Sequence, residues 1–411
     1  MRALSVIAML LAFSEGVAAA SASFTPVVEA GGRATDNAGD RPVEMGPRSA
    51  VTANGAAGGR LLFSQPVWSL RLEGLGEYER YLSANVRNTG ASGVVDGRWR
   101  ADERTFVRSI ARGSYTPDRW DPAIPYRLAI AAAPGEDLPP FVRVTTTRWS
   151  ERLLFDRRTS EVLRLRAIGG VTGTTYDDRR LAGPSAERFD ARLLQGRTVW
   201  ELGGESLWAA RENVETGLYA SGARADYETT RDAYTGSAGA VMEWMAEERV
   251  SFRARTGPDW TTVPGSNLPD RWGYTAEAAL VRRWTLAELE LSGREGVFLA
   301  DATTPAARRT DGRFTVRAQP FERITFEAFA GAGMERSTFA AYHATGTSRS
   351  AIAGTSLGWR MTQYLTARAG YQYSTVETTG RSALPYQSNT VFVGLSFSGW
   401  SFGQPAPEAN P

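Results

Sequence analysis

Between about Leu61 and Phe402 the chain keeps returning to a period of two, and it does so in runs of about ten residues. Trp68, Leu70 and Leu72 alternate with Ser69, Arg71 and Glu73; Val250, Phe252 and Ala254 alternate with Ser251, Arg253 and Arg255. Phe314, Val316 and Ala318 alternate with Arg313, Thr315 and Arg317, and Leu365, Ala367, Ala369, Tyr371 and Tyr373 with Thr366, Arg368, Gly370 and Gln372. Side chains at i and i+2 share one face of a strand, so each run predicts a β-strand with an apolar and a polar face. A strand of about 9–11 tilted residues crosses a bilayer, whereas strands of soluble domains average nearer 5–6. Because a hydrocarbon solvent leaves no partner for a free strand edge, such strands must close on themselves. The pattern therefore predicts an all-β fold, a transmembrane antiparallel up-and-down β-barrel of about 16 strands, with 14 to 18 compatible.

The connections support that architecture. Short links at Met245–Arg249, Arg282–Thr285, Gln319–Arg323 and Met361–Tyr364 alternate with longer polar stretches at Gly257–Asp270, Glu295–Thr310, Arg336–Arg349 and Glu377–Ser388. Short periplasmic turns and longer outer loops give this rhythm. In the N-terminal half, eight strand-like segments do not fit one up-down parity, among them Arg127–Ala133 and Arg188–Leu194.

The first residues read as an export signal. Arg2 is followed by the apolar run Ala3–Phe13 and then by small residues at Gly16–Ser23, with cleavage after Ala20 or Ala22 equally compatible. Residues 1–22 are thus expected to be a signal peptide and 23–60, rich in Ala, Gly and Pro, a flexible periplasmic leader. Residues 61–402 would form the barrel and 403–411 a disordered tail. The expected location is the outer membrane of a Gram-negative cell. The partners expected there are outer-membrane lipid and lipopolysaccharide, together with the barrel assembly machinery.

Two sets of side chains follow from the alternation. Charges on the polar register cannot face lipid, where Arg near the midplane costs about 2–4 kcal/mol, so they are assigned to the lumen. The candidate lumen residues are Arg71, Arg98, Arg100, Arg164, Arg166, Glu201, Glu205, Arg253, Arg255, Glu277, Arg313, Arg317, Glu327 and Arg368. Arginines outnumber glutamates on this register, which favours anions. Trp and Tyr on the apolar register belong at the headgroup level: Trp200, Trp208, Trp244, Trp272, Trp284, Trp359, Tyr371, Tyr373 and Trp400.

Composition removes most chemistry. There is no cysteine, and one histidine, so thiolate sites and histidine-rich metal sites are excluded and no cofactor or metal is expected. Lys+Arg 47 against Asp+Glu 45 is too balanced for a generic nucleic-acid binder. A hydrolase would have to use His343, in the segment Ala340–Ser350 that also holds Ser348 and Ser350 but no Asp or Glu. The three readings carried forward are a non-enzymatic channel, a structural or adhesive barrel plugged by its own arginine–glutamate pairs, and that hydrolase.

The end of the chain carries a resemblance. Asn389–Phe402 alternates and ends on an aromatic, similar to the signal by which outer-membrane assembly machinery recognises its clients. Gln363–Phe397, with Tyr386, Asn389, Val391, Gly394 and Leu395, resembles the β-barrel porins found beside exopolysaccharide secretion genes. The resemblance implies a porin passing polar or anionic solutes or assisting exopolysaccharide export, with polysaccharide export components as partners. It implies no catalytic or ligand-binding residue.

Overall fold

A computed structural model describes residues 21–37, 49–82, 86–120, 141–182, 196–228, 231–246, 249–265, 270–299, 306–339, 346–380 and 386–399. Every regular element in it is a strand. In order these are β1 (Ser21–Thr35), β2 (Ala50–Ser64), β3 (Trp68–Tyr81), β4 (Val86–Asp102), β5 (Thr105–Trp120), β6 (Phe141–Arg158), β7 (Leu163–Ala182), β8 (Arg197–Arg211) and β9 (Val214–Tyr227). They continue with β10 (Ala233–Ala246), β11 (Val250–Thr262), β12 (Arg271–Arg283), β13 (Ala287–Leu299), β14 (Ala306–Phe321), β15 (Ile324–Phe339), β16 (Gly346–Arg360), β17 (Leu365–Gly380) and β18 (Tyr386–Ser398). Each strand pairs antiparallel with the next, and β18 pairs with β1, so the sheet closes as an 18-stranded barrel.

Closure corrects one expectation. Residues 23–60 are not a leader: β1 and most of β2 lie there, Ser21 pairing with Ser64 and Val27 with Ser398. The segment reads as linker because its strands are built of Gly and Ala, yet they alternate. Thr25, Val27, Glu29 and Arg33 take one face and Phe24, Pro26, Val28 and Ala30 the other. Without β1 and β2, β3 and β18 would each present an unpaired edge to lipid, which the bilayer does not tolerate. Among the described residues the barrel thus starts at Ser21, not at residue 61. Residues 1–20 of the expected signal peptide and the tail 403–411 lie outside the described residues, and Ser21 and Ala22 open β1.

The seam explains the final motif. Gly394 sits opposite Gly31, and a Cβ on Gly31 would come within 2.7 Å of the Val393 carbonyl oxygen. The likeness at Val391, Gly394 and Leu395 is therefore a likeness of barrel closure. The short links all lie at the end of the barrel where β1 starts and β18 stops; the longer connections lie at the other end.

The wall is not uniform inside. β13 leaves β12 after Glu295 but stays paired with β14 up to Leu299 opposite Ala306. Its free end leans into the lumen, where Val297 and Leu299 pack on Val199, Ala225, Tyr227, Ala233, Val263 and Ala306. This apolar wedge narrows the lumen at the loop end beside β8–β11.

Candidate functional site: the lumen wall

The ladder register decides which face each side chain takes. Arg166 on β7 pairs across to Glu205 on β8, which lies opposite Tyr219 on β9. Arg253 and Arg255 on β11 lie opposite Glu243 and Val241 on β10, and Arg255 opposite Glu277 on β12. Arg166 Nη1 also donates to Glu243 Oε1 at 2.7 Å, although β8 and β9 separate their strands. Three strand spacings amount to about 14 Å along the wall, a gap two side chains close only where they converge, on the concave side. That face is the lumen.

The same register carries the other candidates inward. Arg71 donates to Glu73 at 2.6 Å, and Arg98 stands 3.5 Å from Asp96. Arg100 follows Arg98 on that face. Arg317 reaches Glu288 at 3.1 Å and Glu327 at 3.9 Å, and Arg368 reaches Ser356 Oγ at 3.0 Å and Glu327 at 3.8 Å. Arg313 stacks over the Phe329 ring at 5.6 Å. Glu201 lies on the inner face of β8, opposite Gly170.

The densest network joins the six strands β6 to β11. Arg166 contacts Asp156, Glu205 and Glu243; Arg253 contacts Glu205 and Glu243; Arg164 contacts Asp156 at 2.6 Å and Glu215 at 3.4 Å. The Glu205 side chain is only 5% exposed, so these charges are held by one another rather than by water. Beneath the network Leu207, Tyr219 and Val241 form a small buried apolar cluster. The sequence reading missed Asp156, Glu215 and Glu243, and with them the neutralisation of this wall. It also missed Arg112, Arg148 and Arg152. The signal was available: Arg148, Arg152 and Asp156 fall at even spacing on one strand face.

Three arginines on two adjoining strands stand apart from the paired network. Arg112 on β5 lies opposite Ser150, and Arg148 and Arg152 flank Ser150 on the inner face of β6. All three are exposed to the lumen and none makes an ion pair or side-chain hydrogen bond. They form a bare cationic stripe in a lumen whose other arginines are largely paired.

Beside the network, a cavity of about 530 Å³ is bounded by β6–β12 and by the inward end of β13. Arg152, Arg166, Glu201, Tyr219, Arg255 and Arg294 are among its lining residues. No group of three or more His, Asp or Glu side chains able to hold a metal occurs among the described residues. His343, the one candidate for hydrolysis, lies outside them.

The outer face is apolar between two aromatic belts. Trp208, Trp244, Trp284 and Trp359 stand exposed near the short-turn end, joined by Trp99. Trp200, Trp260 and Trp272 stand exposed near the loop end, and Tyr371 and Tyr373 point outward on β17. Trp400 lies outside the described residues. On β8, Trp200 and Trp208 are eight residues apart, about 20 Å of height for a strand tilted near 40°. That matches an apolar band near 25 Å tall. A closed barrel with this belted outer surface is an outer-membrane protein.

No family model and no curated protein matches the chain. Solved structures do. Pseudomonas aeruginosa OccK2 (OpdF) in complex with glucuronate matches at 14% identity and TM-score 0.46, over 92% of this chain and 98% of that one. The outer membrane protein opdK from Pseudomonas aeruginosa matches at 9% identity and TM-score 0.45, over 92% and 99%. Acinetobacter baumannii OccAB3 matches at 8% identity and TM-score 0.45, over 93% and 99%. The likeness is one of overall fold.

Proposed function

We propose that the chain is a non-enzymatic outer-membrane channel for small polar solutes, with a modest preference for anions. The observation that carries this is the bare stripe Arg112, Arg148 and Arg152 inside a lumen whose other charges are largely neutralised in pairs. Cations without partners in a confined, low-dielectric passage focus a field that raises the local anion concentration. A barrel plugged by its own salt bridges would have no reason to leave them free.

In planar bilayers the purified protein should show stepwise conductance, with a reversal potential in a salt gradient that favours anions. Changing Arg112, Arg148 and Arg152 to glutamine should move that potential toward zero while insertion is unaffected. A silent barrel would sink the channel reading, and an unchanged potential would remove the stripe from the conducting path. Export of a secreted polysaccharide is the second reading. What supports it is the likeness of words at Tyr386–Leu395, on the strand that closes the barrel. Lipopolysaccharide and the assembly machinery belong to the same proposal as the partners any such barrel meets.

A further inference from the structure

We propose that the lumen cavity beside Gly170 is a binding site for small zwitterions, Arg152 taking the carboxylate and Glu201 the ammonium group. The inference rests on the channel reading and names a substrate class for it.

Arg152, Gly170 and Glu201 are successive partners on β6, β7 and β8, all facing the lumen. Two strand spacings put the outer pair about 10 Å apart at Cα. Gly170 adds no side chain between them, and a Cβ there would lie 3.8 Å from Glu201 Oε2, so the carboxylate stands over the gap. Arg152 and Glu201 are both exposed, and neither is joined to the other or to any other charge.

The remaining charges of the cavity are already occupied. Arg166 is held by Glu205 and Glu243, Arg255 by Glu277 at 2.6 Å and Asp259 by Arg308 at 3.4 Å, while Arg294 at 3.3 Å and Arg309 at 3.0 Å share Asp311. A solute entering the cavity thus meets one free positive and one free negative group. A simple anion gains Arg152 and is repelled by Glu201; a simple cation finds the reverse. A solute carrying both signs a few ångströms apart satisfies both. The cavity's volume, about 530 Å³, falls in the usual range for small-ligand sites.

The test is uptake into liposomes of β-alanine, propionate and propylammonium, three solutes of similar size and different charge, with potassium chloride conductance measured on the same preparation. A unit charge about 5 Å from the solute in a water-like medium changes its occupancy about four-fold. β-Alanine should enter faster than either singly charged probe. Glu201→Gln should lower the β-alanine to propionate ratio and Arg152→Gln the β-alanine to propylammonium ratio, and the exchanged pair Arg152→Glu/Glu201→Arg should restore both. Heat-modifiable migration in detergent verifies that each variant is folded. If conductance is normal but β-alanine enters no faster than propionate, or if neither single change alters its ratio, the zwitterion site is wrong and the channel stands. If conductance is absent, both fall.

Discussion

Replacing Arg166 with methionine tests whether the lumen network holds the barrel together. The side chain is 10% exposed and donates to Glu243 Oε1 at 2.7 Å and Glu205 Oε2 at 3.0 Å, and it lies 3.3 Å from Asp156 Oδ2. Removing one partner of a buried ion pair costs about 3–5 kcal/mol, because the other charge is left in a poorly solvated place. Here the carboxylates keep some company, since Arg253 still contacts Glu205 and Glu243 and Arg164 still contacts Asp156. The expected loss is therefore the lower bound, about 3 kcal/mol. Arg317, half exposed and 3.1 Å from Glu288, serves as the control; its loss should cost at most about 1 kcal/mol. Equilibrium unfolding in urea from liposomes, followed by tryptophan fluorescence, measures both. Adding Glu243→Gln to Arg166→Met should recover part of the loss, with a coupling of about 1.5–3 kcal/mol. Equal effects for Arg166 and Arg317, or strict additivity with Glu243, would refute the view that burial makes this network structural.

Gly239 and Gly257 approach so closely that a Cβ on either would strike the partner strand's backbone, whereas a Cβ on Gly74 would meet nothing. Gly239→Ala should therefore lower the unfolding midpoint markedly and Gly74→Ala leave it within about 0.5 kcal/mol, as heat-modifiable migration and urea titration will show. Deleting residues 21–64 should prevent heat-resistant barrel formation, and a barrel that assembles without them would restore the leader reading. The exported protein should begin at Ser21 by mass spectrometry, since loss of Ser21 and Ala22 would remove the Ser21 hydroxyl's bond to the Ser64 carbonyl at 3.1 Å. Arg255→Gln together with Glu277→Gln removes a matched pair, so the reversal potential should stay where it is.

The period of two made the barrel legible from the sequence because lipid outside and charge inside impose it on every strand. Trp68–Glu73 and Val250–Arg255 needed nothing more. What was hidden has physical causes. β1 and β2 are strands of small residues, and bulk was the cue that separated strand from linker. The parity of the N-terminal half failed around Arg127–Ala133 and Arg188–Leu194, which lie outside the described residues, between β5 and β6 and between β7 and β8. The two strands that the count of about 16 lacked are β1 and β2, which bring the described barrel to eighteen. Faces were readable from parity, but partners were not. That Arg166 meets Glu243 depends on three strand registers at once, so a wall of arginines looked charged when most of it is neutral.

Neutrality of that wall gives the bare stripe its meaning. Ser150 separates Arg148 from Arg152 on β6 and faces Arg112 on β5. Successive cations are then displaced along the strand by about two residues, near 6.6 Å. The Debye length at physiological salt is about 8 Å, so each guanidinium stands within the unscreened reach of the next. An anion moving down this wall need never leave the field of one arginine before entering that of another. Because the stripe is exposed, no single site holds the ion deeply, and conduction requires sites strong enough to enter and weak enough to leave. The paired network cannot serve in that way, since each of its arginines already has carboxylates within contact. Stability and selectivity are thus carried by the same residue type on neighbouring strands, and the difference between them is whether a carboxylate lies opposite.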